Sequence, residues 1–226
     1  IGMTGVEDVF SGHNNFFVPF GAKVKPEELV RELGETYEIG KTSIKKWSVG
    51  SPAQTPLDAL FELIRTHKVQ ASDVEKVVIR TDHRGAHVVN DAAMPDICMQ
   101  YLAAVMLLDG TVTFATAHDD ARMHDPKVVE LRRRTELYGD DALERTPTLR
   151  RARVELTLRD GRNLQHLAQG VRGTPQNPMT RDEVGDKAFQ LVAPVLGEKR
   201  ARDLVDTIWR LEQVNNLREL RPLLMA

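Results

Sequence analysis

The stretch from Pro95 to Leu108, PDICMQYLAAVMLL, limits the fold more than any other part of the chain. It reads as a helix that is apolar nearly all round and is stopped by Asp109-Gly110. A helix without a polar face has to be buried on more than one side, so the chain must build other elements around it. Thr55-Pro56-Leu57-Asp58 opens a second helix, with Thr55 as N-cap, Pro56 at the first position and Asp58 at the positive end of the dipole. Its apolar residues Leu57, Leu60, Phe61 and Ile64 follow the i, i+3, i+4, i+7 spacing. Glu75 to Thr81 reads as a strand after a turn at Ser72-Asp73, and Asp125-Pro126 caps a helix through Arg133. Ala152 to Leu158 and Leu164 to Ala168 alternate around Asp160-Gly161, which is a hairpin signal.

Upstream lie short apolar clusters (Val6, Val9, Phe10; Phe16, Phe17, Val18, Phe20) that read as helical fragments. Pro26 to Leu33 reads as a short helix and Tyr37 to Trp47 as extended. Gly173 to Pro178 is a breaker cluster, and Thr180 to Glu183 is a capping box that starts a helical tail. One tail helix carries Val184, Leu191, Val192 and Val195, and the next carries Leu204, Val205, Ile208 and Leu211. Mixed elements followed by helices alone predict an α+β domain with a separate helical part. Two helices cannot bury their own apolar faces, so the tail needs a partner surface.

Composition narrows the function classes. A length of 226 residues allows one or two domains with a sizeable core. Lys and Arg number 31 against 33 Asp and Glu, a net charge of −2, which argues against nucleic acid as the main partner. The single cysteine, Cys98, excludes a disulfide framework and a Cys-rich zinc site. Within the apolar helix it reads as a buried, inert thiol. No apolar run approaches ~20 residues, and the first residues lack a basic and apolar leader pattern. The expectation is a soluble protein of a reduced, cytoplasmic compartment, with no membrane partner.

No G-x-S-x-G, P-loop or G-x-G-x-x-G motif occurs. His83 and His87 are spaced i, i+4, but Arg84-Gly85-Ala86 reads as a strand turn rather than a helix. His118-Asp119-Asp120 with His124-Asp125 reads as helix-terminal acids plus surface histidines, so no metal site is expected. His166 reads as an inward, half-buried hairpin residue, and the arginine runs 132–134 and 150–153 as solvated faces. The segment Ile44 to Gln54 differs from these. It joins an extended stretch to a helix N-terminus, where backbone N–H groups favour anions. Lys45 or Lys46 adds positive charge, and Ser51 and Gln54 add hydrogen bonds, a set suited to a carboxylate.

The same segment, IKKWSVGSPAQTPLDAL, resembles the lysine-containing loop and following helix of the MmgE/PrpD family, which includes 2-methylcitrate dehydratase and cis-aconitate decarboxylase. Other stretches agree in order. Gly2 to Gly5 with Gly12 and Phe16-Phe17 resembles the family's GLTGP…G…F stretch, and Asp96 to Ala104 with Asp109-Gly110 its buried helix. Asp125 to Val128 resembles its D-P-x-V step, and Gly173 to Thr180 followed by Lys187-Ala188-Phe189 its G-x-P-x-N-P…KF segment.

The resemblance implies the C-terminal half of a longer, cofactor-independent lyase, which fits the start at Ile1 rather than Met. Residues 1–20 would end an all-helical domain, 21–175 form a lid-type α+β domain with hairpin strands and packed helices, and 176–226 return to the helical domain. The implied substrate is a small di- or tricarboxylic acid, 2-methylcitrate- or aconitate-like, and the implied reaction is dehydration or decarboxylation. By the same resemblance Lys45 and Tyr101 are the catalytic residues of this half. Lys46, Ser51 and Gln54 contact substrate, and no cofactor or metal takes part. Gln54 stands where the family has a histidine, and glutamine is neither acid nor base. Val49, Gly50 and Ser51 replace the family's Cys-Cys or Cys-Arg residues. The implied partners are an N-terminal helical half, from the same gene or a separate chain, and a second copy in a homodimer. The half alone would be inactive. The competing readings are a non-catalytic carboxylate-binding or scaffold half of a complex, and an epimerase of an amino-dicarboxylate.

Overall fold

The computed structural model describes residues 2, 4–21, 23–146 and 149–225. Ile1 and Met3, which belong to the amino-terminal resemblance, lie outside them. The chain divides into two compact units, Ile1–Thr42 and Ser43–Ala226.

The smaller unit has no buried side chain among its described residues. Asp8 accepts from the Phe10 and Ser11 amides, both at 3.1 Å, and Phe16 donates back to Val9 at 2.8 Å. This turn gathers Phe10, Phe16, Phe17 and Phe20, with ring centroids 5.3–5.9 Å apart. The expected short helix at Pro26 is a 3-10 turn, Pro26–Leu29, and the expected extended stretch contains another, Glu38–Lys41.

The larger unit is α+β. Helix α1 (Gln54–His67) leads to strand β1 (Val74–Thr81) and helix α2 (His83–Val89). Helices α3 (Met99–Asp109), α4 (Phe114–Ala117) and α5 (Pro126–Arg133) follow. Then come strands β2 (Thr135–Gly139), β3 (Ala152–Leu158) and β4 (Asn163–Ala168), and helices α6 (Arg181–Leu196), α7 (Glu198–Ile208) and α8 (Arg221–Leu224). The sheet is mixed, in the order β2-β1-β3-β4. β3 and β4 form the expected hairpin, β1 runs antiparallel to β3, and β2 adds a parallel edge beside β1.

One face of the sheet is apolar. Val77, Ile79, Val154, Leu156 and Leu158 are essentially inaccessible, while Arg153, Glu155 and Thr157 alternate with them. A register shift between Val74 and Lys76 returns Val74 to the buried face. The polar face carries cross-strand pairs such as Lys76–Glu136 at 2.9 Å and Arg80–Glu155 at 3.5 Å. Helix α1 lies on β3 and β4, and α3 fits against α1, α5 and β2. That enclosure is what its sequence demands: every residue from Met99 to Leu107 is buried. Cys98 is buried and its thiol is pushed up in pKa by burial. It stands at the N-cap of α3 rather than within it.

Four local expectations change. Helix α1 begins at Gln54, and Thr55 is not its cap, because a 3-10 turn at Ser51–Ala53 runs directly into the helix. His83 to His87 is helical, capped by Asp82, whose carboxylate accepts from the Gly85 amide at 2.8 Å. Gly85 obscured that helix and is also required by it: a Cβ there would lie 2.6 Å from Asp82 Oδ2. Strand β2 is additional, following α5 without a turn signal. Finally, the arginine run belongs to packing rather than to a bare solvated face. Arg134 donates to the Val74 carbonyl at 3.0 Å, and Arg132 reaches Asp91 at 3.0 Å.

Thr180 and Glu183 form the expected capping box of α6. No residue of α6 is buried, and Leu191 and Val195 stand exposed on it. Among the described residues no helix is long and apolar enough to cross a membrane. Leu102 on α3 is fully buried. Leu102→Ala is expected to lower unfolding free energy by about 2–5 kcal/mol, read by urea denaturation.

Candidate carboxylate-binding cleft

Two segments far apart in sequence, 43–54 and 169–177, form the walls of a cleft of about 580 Å³. A backbone hydrogen bond from Ile44 to the Gly173 carbonyl, 2.8 Å, joins them. Gly173 has φ +94°, and a Cβ on it would lie 1.7 Å from the Ile44 carbonyl oxygen. Only glycine allows both the left-handed backbone and the close approach. The breaker cluster 173–178 is thus the seam of the cleft.

The loop from Trp47 to Gln54 is fixed from within. Trp47 and Val49 are buried, and the Trp47 ring meets Phe61 of α1 edge-on at 5.6 Å. Gln54 is 1% exposed. Its carboxamide accepts from the Trp47 amide at 3.1 Å and donates to the Trp47 and Val49 carbonyls at 2.9 and 3.3 Å. It borders the cleft with its hydrogen-bonding capacity already committed to the loop backbone.

The sequence-derived site residues separate into two groups. Lys45, Ser51 and Gln54 line this cleft together. Lys45 Nζ donates to the Val49 carbonyl at 3.1 Å. Lys46 turns away, with Nζ 4.6 Å from the Trp47 ring centroid, 4.3 Å from that of Phe61 and 3.9 Å from Asp58. Alternation along an extended loop sends adjacent lysines to opposite sides, so Lys46 faces a neighbouring hollow. Tyr101 is not brought to the cleft either. It is fully buried on α3, and its hydroxyl donates to the Thr116 carbonyl at 2.5 Å. Burial pushes its pKa up to about 12, so it is a poor proton donor at neutral pH. Its place on an all-apolar helix was the sequence sign of this interior role.

Residues not singled out as site residues complete the lining. Arg150 enters from the segment before β3, and Gln169, Gln176 and Asn177 from the segment after β4. Arg172 also faces the cleft, with its guanidinium bound to Glu183 at 2.5 Å and Asn177 at 2.9 Å. That pairing, with the Thr180 amide, holds the Glu183 carboxyl at a pKa of about 2. Lys45 and Arg150 have no carboxylate partner among the described residues. Among the described residues the cleft is lined by cations, amides and hydroxyls beside the apolar Ile44, Leu149 and Val171, with no Asp, Glu, His or Tyr. Lys187 of α6 donates to the Lys45 carbonyl, and its pKa is lowered by burial and by the Lys45 charge. Arg172 is thus matched by Glu183, while the charges of Lys45 and Arg150 have no carboxylate partner among the described residues. Such an arrangement is chemically able to hold a carboxylate and to stabilise developing negative charge, and among the described residues its lining has no carboxylate or imidazole to act as a general base.

The histidines provide no alternative centre. Among the described residues no three His, Cys, Asp or Glu side chains converge on a metal position. His118 stacks on Phe114 at 4.2 Å, and His166 is half-buried on β4.

An α+β module with a cleft between two loops that carries lysine and arginine side chains is thus the class that fold and site define. The chain belongs to the MmgE/PrpD family: residues 47–213 match the MmgE/PrpD C-terminal domain. It is 32% identical to the 2-methylcitrate dehydratase-like protein oryR of Aspergillus oryzae over 149 residues, 60% of this chain and 30% of that protein. It is 33% identical to 2-methylcitrate dehydratase of Salmonella typhimurium over 99 residues, 40% of this chain and 20% of that protein. It is 25% identical to human cis-aconitate decarboxylase over 184 residues, 80% of this chain and 35% of that protein. In these matches the chain spans about a third or less of its relatives' length.

Two substitutions test the geometry. Gln54→Glu sets a carboxylate against two carbonyls and is expected to cost about 1–3 kcal/mol in urea denaturation. Tyr101→Phe is expected to cost roughly 1 kcal/mol of stability while leaving carboxylate affinity, read by titration calorimetry, unchanged. The raised pKa of Tyr101 disfavours its anion in the folded state, so stability should fall as pH rises from 10 toward 12, and less so in Tyr101→Phe.

Proposed function

We propose that this chain is the carboxylate-binding part of a cofactor-independent lyase, acting on a small di- or tricarboxylic acid of the 2-methylcitrate or aconitate type. The observation that carries the proposal is the cleft in which Lys45 and Arg150 stand without a carboxylate partner beside neutral hydrogen-bonding side chains. Family membership and the named relatives support the lyase class.

In this reading Lys45 neutralises a substrate carboxylate, or the enolate charge that develops when the adjacent C–H proton is removed. Ser51 donates a hydrogen bond to the same carboxylate. Arg150 takes a second carboxylate, for which its planar fork is suited. Gln54 contributes by holding the loop. The base that removes the proton comes from a surface that closes over the cleft, supplied by a helical portion of the same polypeptide or by a partner chain. Loss of hydroxide, which leaves with a proton as water, then completes a dehydration; in a decarboxylation the proton is instead returned to carbon as the C–C bond breaks and carbon dioxide leaves.

A second reading has a specific observation behind it. Gln54 occupies the position where the family resemblance places a histidine, and the lining has no other acid or base. A non-catalytic, carboxylate-binding half would look the same. Calorimetric titration of the chain with citrate and with a monocarboxylate of similar size tests the binding step. Citrate should bind more tightly, and Lys45→Ala and Arg150→Ala should each weaken it about tenfold, roughly 1.4 kcal/mol. Equal binding of both acids, or no effect of either substitution, overturns the cleft as the site. Turnover on 2-methylcitrate and cis-aconitate with the helical portion supplied separates the lyase from the non-catalytic reading.

A further inference from the structure

Asp58 is a charged side chain, 13% exposed, on the first turns of α1, and the mechanism above gives it no task. Its carboxylate is shared between the two walls of the cleft. Oδ1 accepts from the Trp47 indole N–H at 2.9 Å, on the wall that carries Lys45 and Ser51. Oδ2 accepts from the Arg172 backbone amide at 3.1 Å, on the opposite wall and 114 residues further along the chain. Lys46 Nζ stands 3.9 Å from Oδ1.

We propose that Asp58 is a positioning residue that clips the two walls together and so sets the separation of the carboxylate-binding groups in the cleft. The proposal rests on the carboxylate reading of that cleft. The cost of the arrangement argues for a purpose. Burial raises the pKa of Asp58 despite two hydrogen bonds and nearby positive charge. A half-buried anion that is not relieved by its partners is a poor way to stabilise a helix start, where an exposed Asp would serve the dipole. It is a good way to hold two loops at once, because a carboxylate has two oxygens that both accept. Asparagine has one acceptor and one donor, so it can keep only one wall. The seam at Ile44–Gly173 joins the walls at one point. A second, separate tie through α1 removes the hinge that a single joint would leave.

The groups facing Asp58 are the Trp47 indole, the Lys46 ammonium, and the Arg172 amide and guanidinium. Glu62 on the next turn, His166 on β4 and Glu183 behind Arg172 line the same hollow. Glu62 makes its own ion pair with Arg65 at 2.8 Å and serves as the control position.

The experiment compares wild type, Asp58→Asn, Asp58→Ala and Glu62→Gln by hydrogen–deuterium exchange and by citrate titration. Asp58→Asn is the nearly isosteric variant and keeps the test open if Asp58→Ala fails to fold. The expected result is exchange about tenfold faster in both 44–54 and 169–177 in Asp58→Ala and in at least one of them in Asp58→Asn, with citrate affinity down about tenfold in both variants and Glu62→Gln like wild type. Unchanged exchange at either wall in Asp58→Ala, or at both walls in Asp58→Asn, overturns the clip, as does equal loosening in Glu62→Gln. Loosened walls with wild-type citrate affinity overturn the positioning role. If wild type binds no citrate, the carboxylate reading fails, and exchange alone decides whether the clip exists.

Discussion

The larger unit depends on the burial of α3. A helix without a polar face cannot end a domain or lie on its surface, so the fold has to supply a layer on every side of it. Helices α1 and α5 and strand β2 do so, and the sheet then has one apolar face toward the helices and one charged face toward solvent. Placement of the cleft follows from that enclosure. Helix α1 is held by its Leu57, Leu60 and Leu63 face, so its first turn is a fixed point from which Gln54 and Asp58 can reach the loop. An irregular eleven-residue loop has no hydrogen-bond ladder of its own. Here the loop borrows one from the side chain of Gln54 and the carboxylate of Asp58.

Much of this was legible in the residues, where the signal was periodic or chemical. Helix α1, the hairpin, the capping box of α6 and the stop at Asp109-Gly110 each carry a local pattern with a physical cause. Strand β2 did not, because a parallel edge strand has no turn signal and its partner β1 is distant in sequence. Helix α2 was hidden by Gly85, a poor helix former that stands there because the capping carboxylate of Asp82 leaves no room for a Cβ. The start of α1 moved because a 3-10 turn can run into a helix without a side-chain cap.

The site was partly legible for a related reason. Residue type announces what a side chain is able to do, whereas direction decides what it does. Lys45 and Lys46 are equivalent in sequence, and only the path of the loop sends one into the cleft and the other onto the rings of Trp47 and Phe61. Tyr101 has the right chemistry for a proton donor, but its helix faces the interior and its hydroxyl is spent on Thr116. Arg150 had the opposite fate. In a run of arginines it looked like solvated surface, and the fold turned it toward the opposing wall.

The electrostatics of the cleft point to a division of labour. Three cations line it, of which Arg172 is paired with Glu183, and among the described residues none of the lining side chains is acidic. A site built for general-base catalysis at neutral pH needs a carboxylate or imidazole near the proton, and each cation around that group lowers its proton affinity and weakens it as a base. In the proposed reading, keeping the cations in the cleft and leaving the base to another surface avoids that conflict. Under that proposal the base meets a field that the substrate's own carboxylates have already reduced at the lysine and arginine. The pKa of Lys187 is depressed first by its burial and then by the charge of Lys45 beside it. In the proposed reading a bound di- or tricarboxylate offsets the part owed to Lys45, and by the same charge it eases the field that a base brought to the cleft would meet.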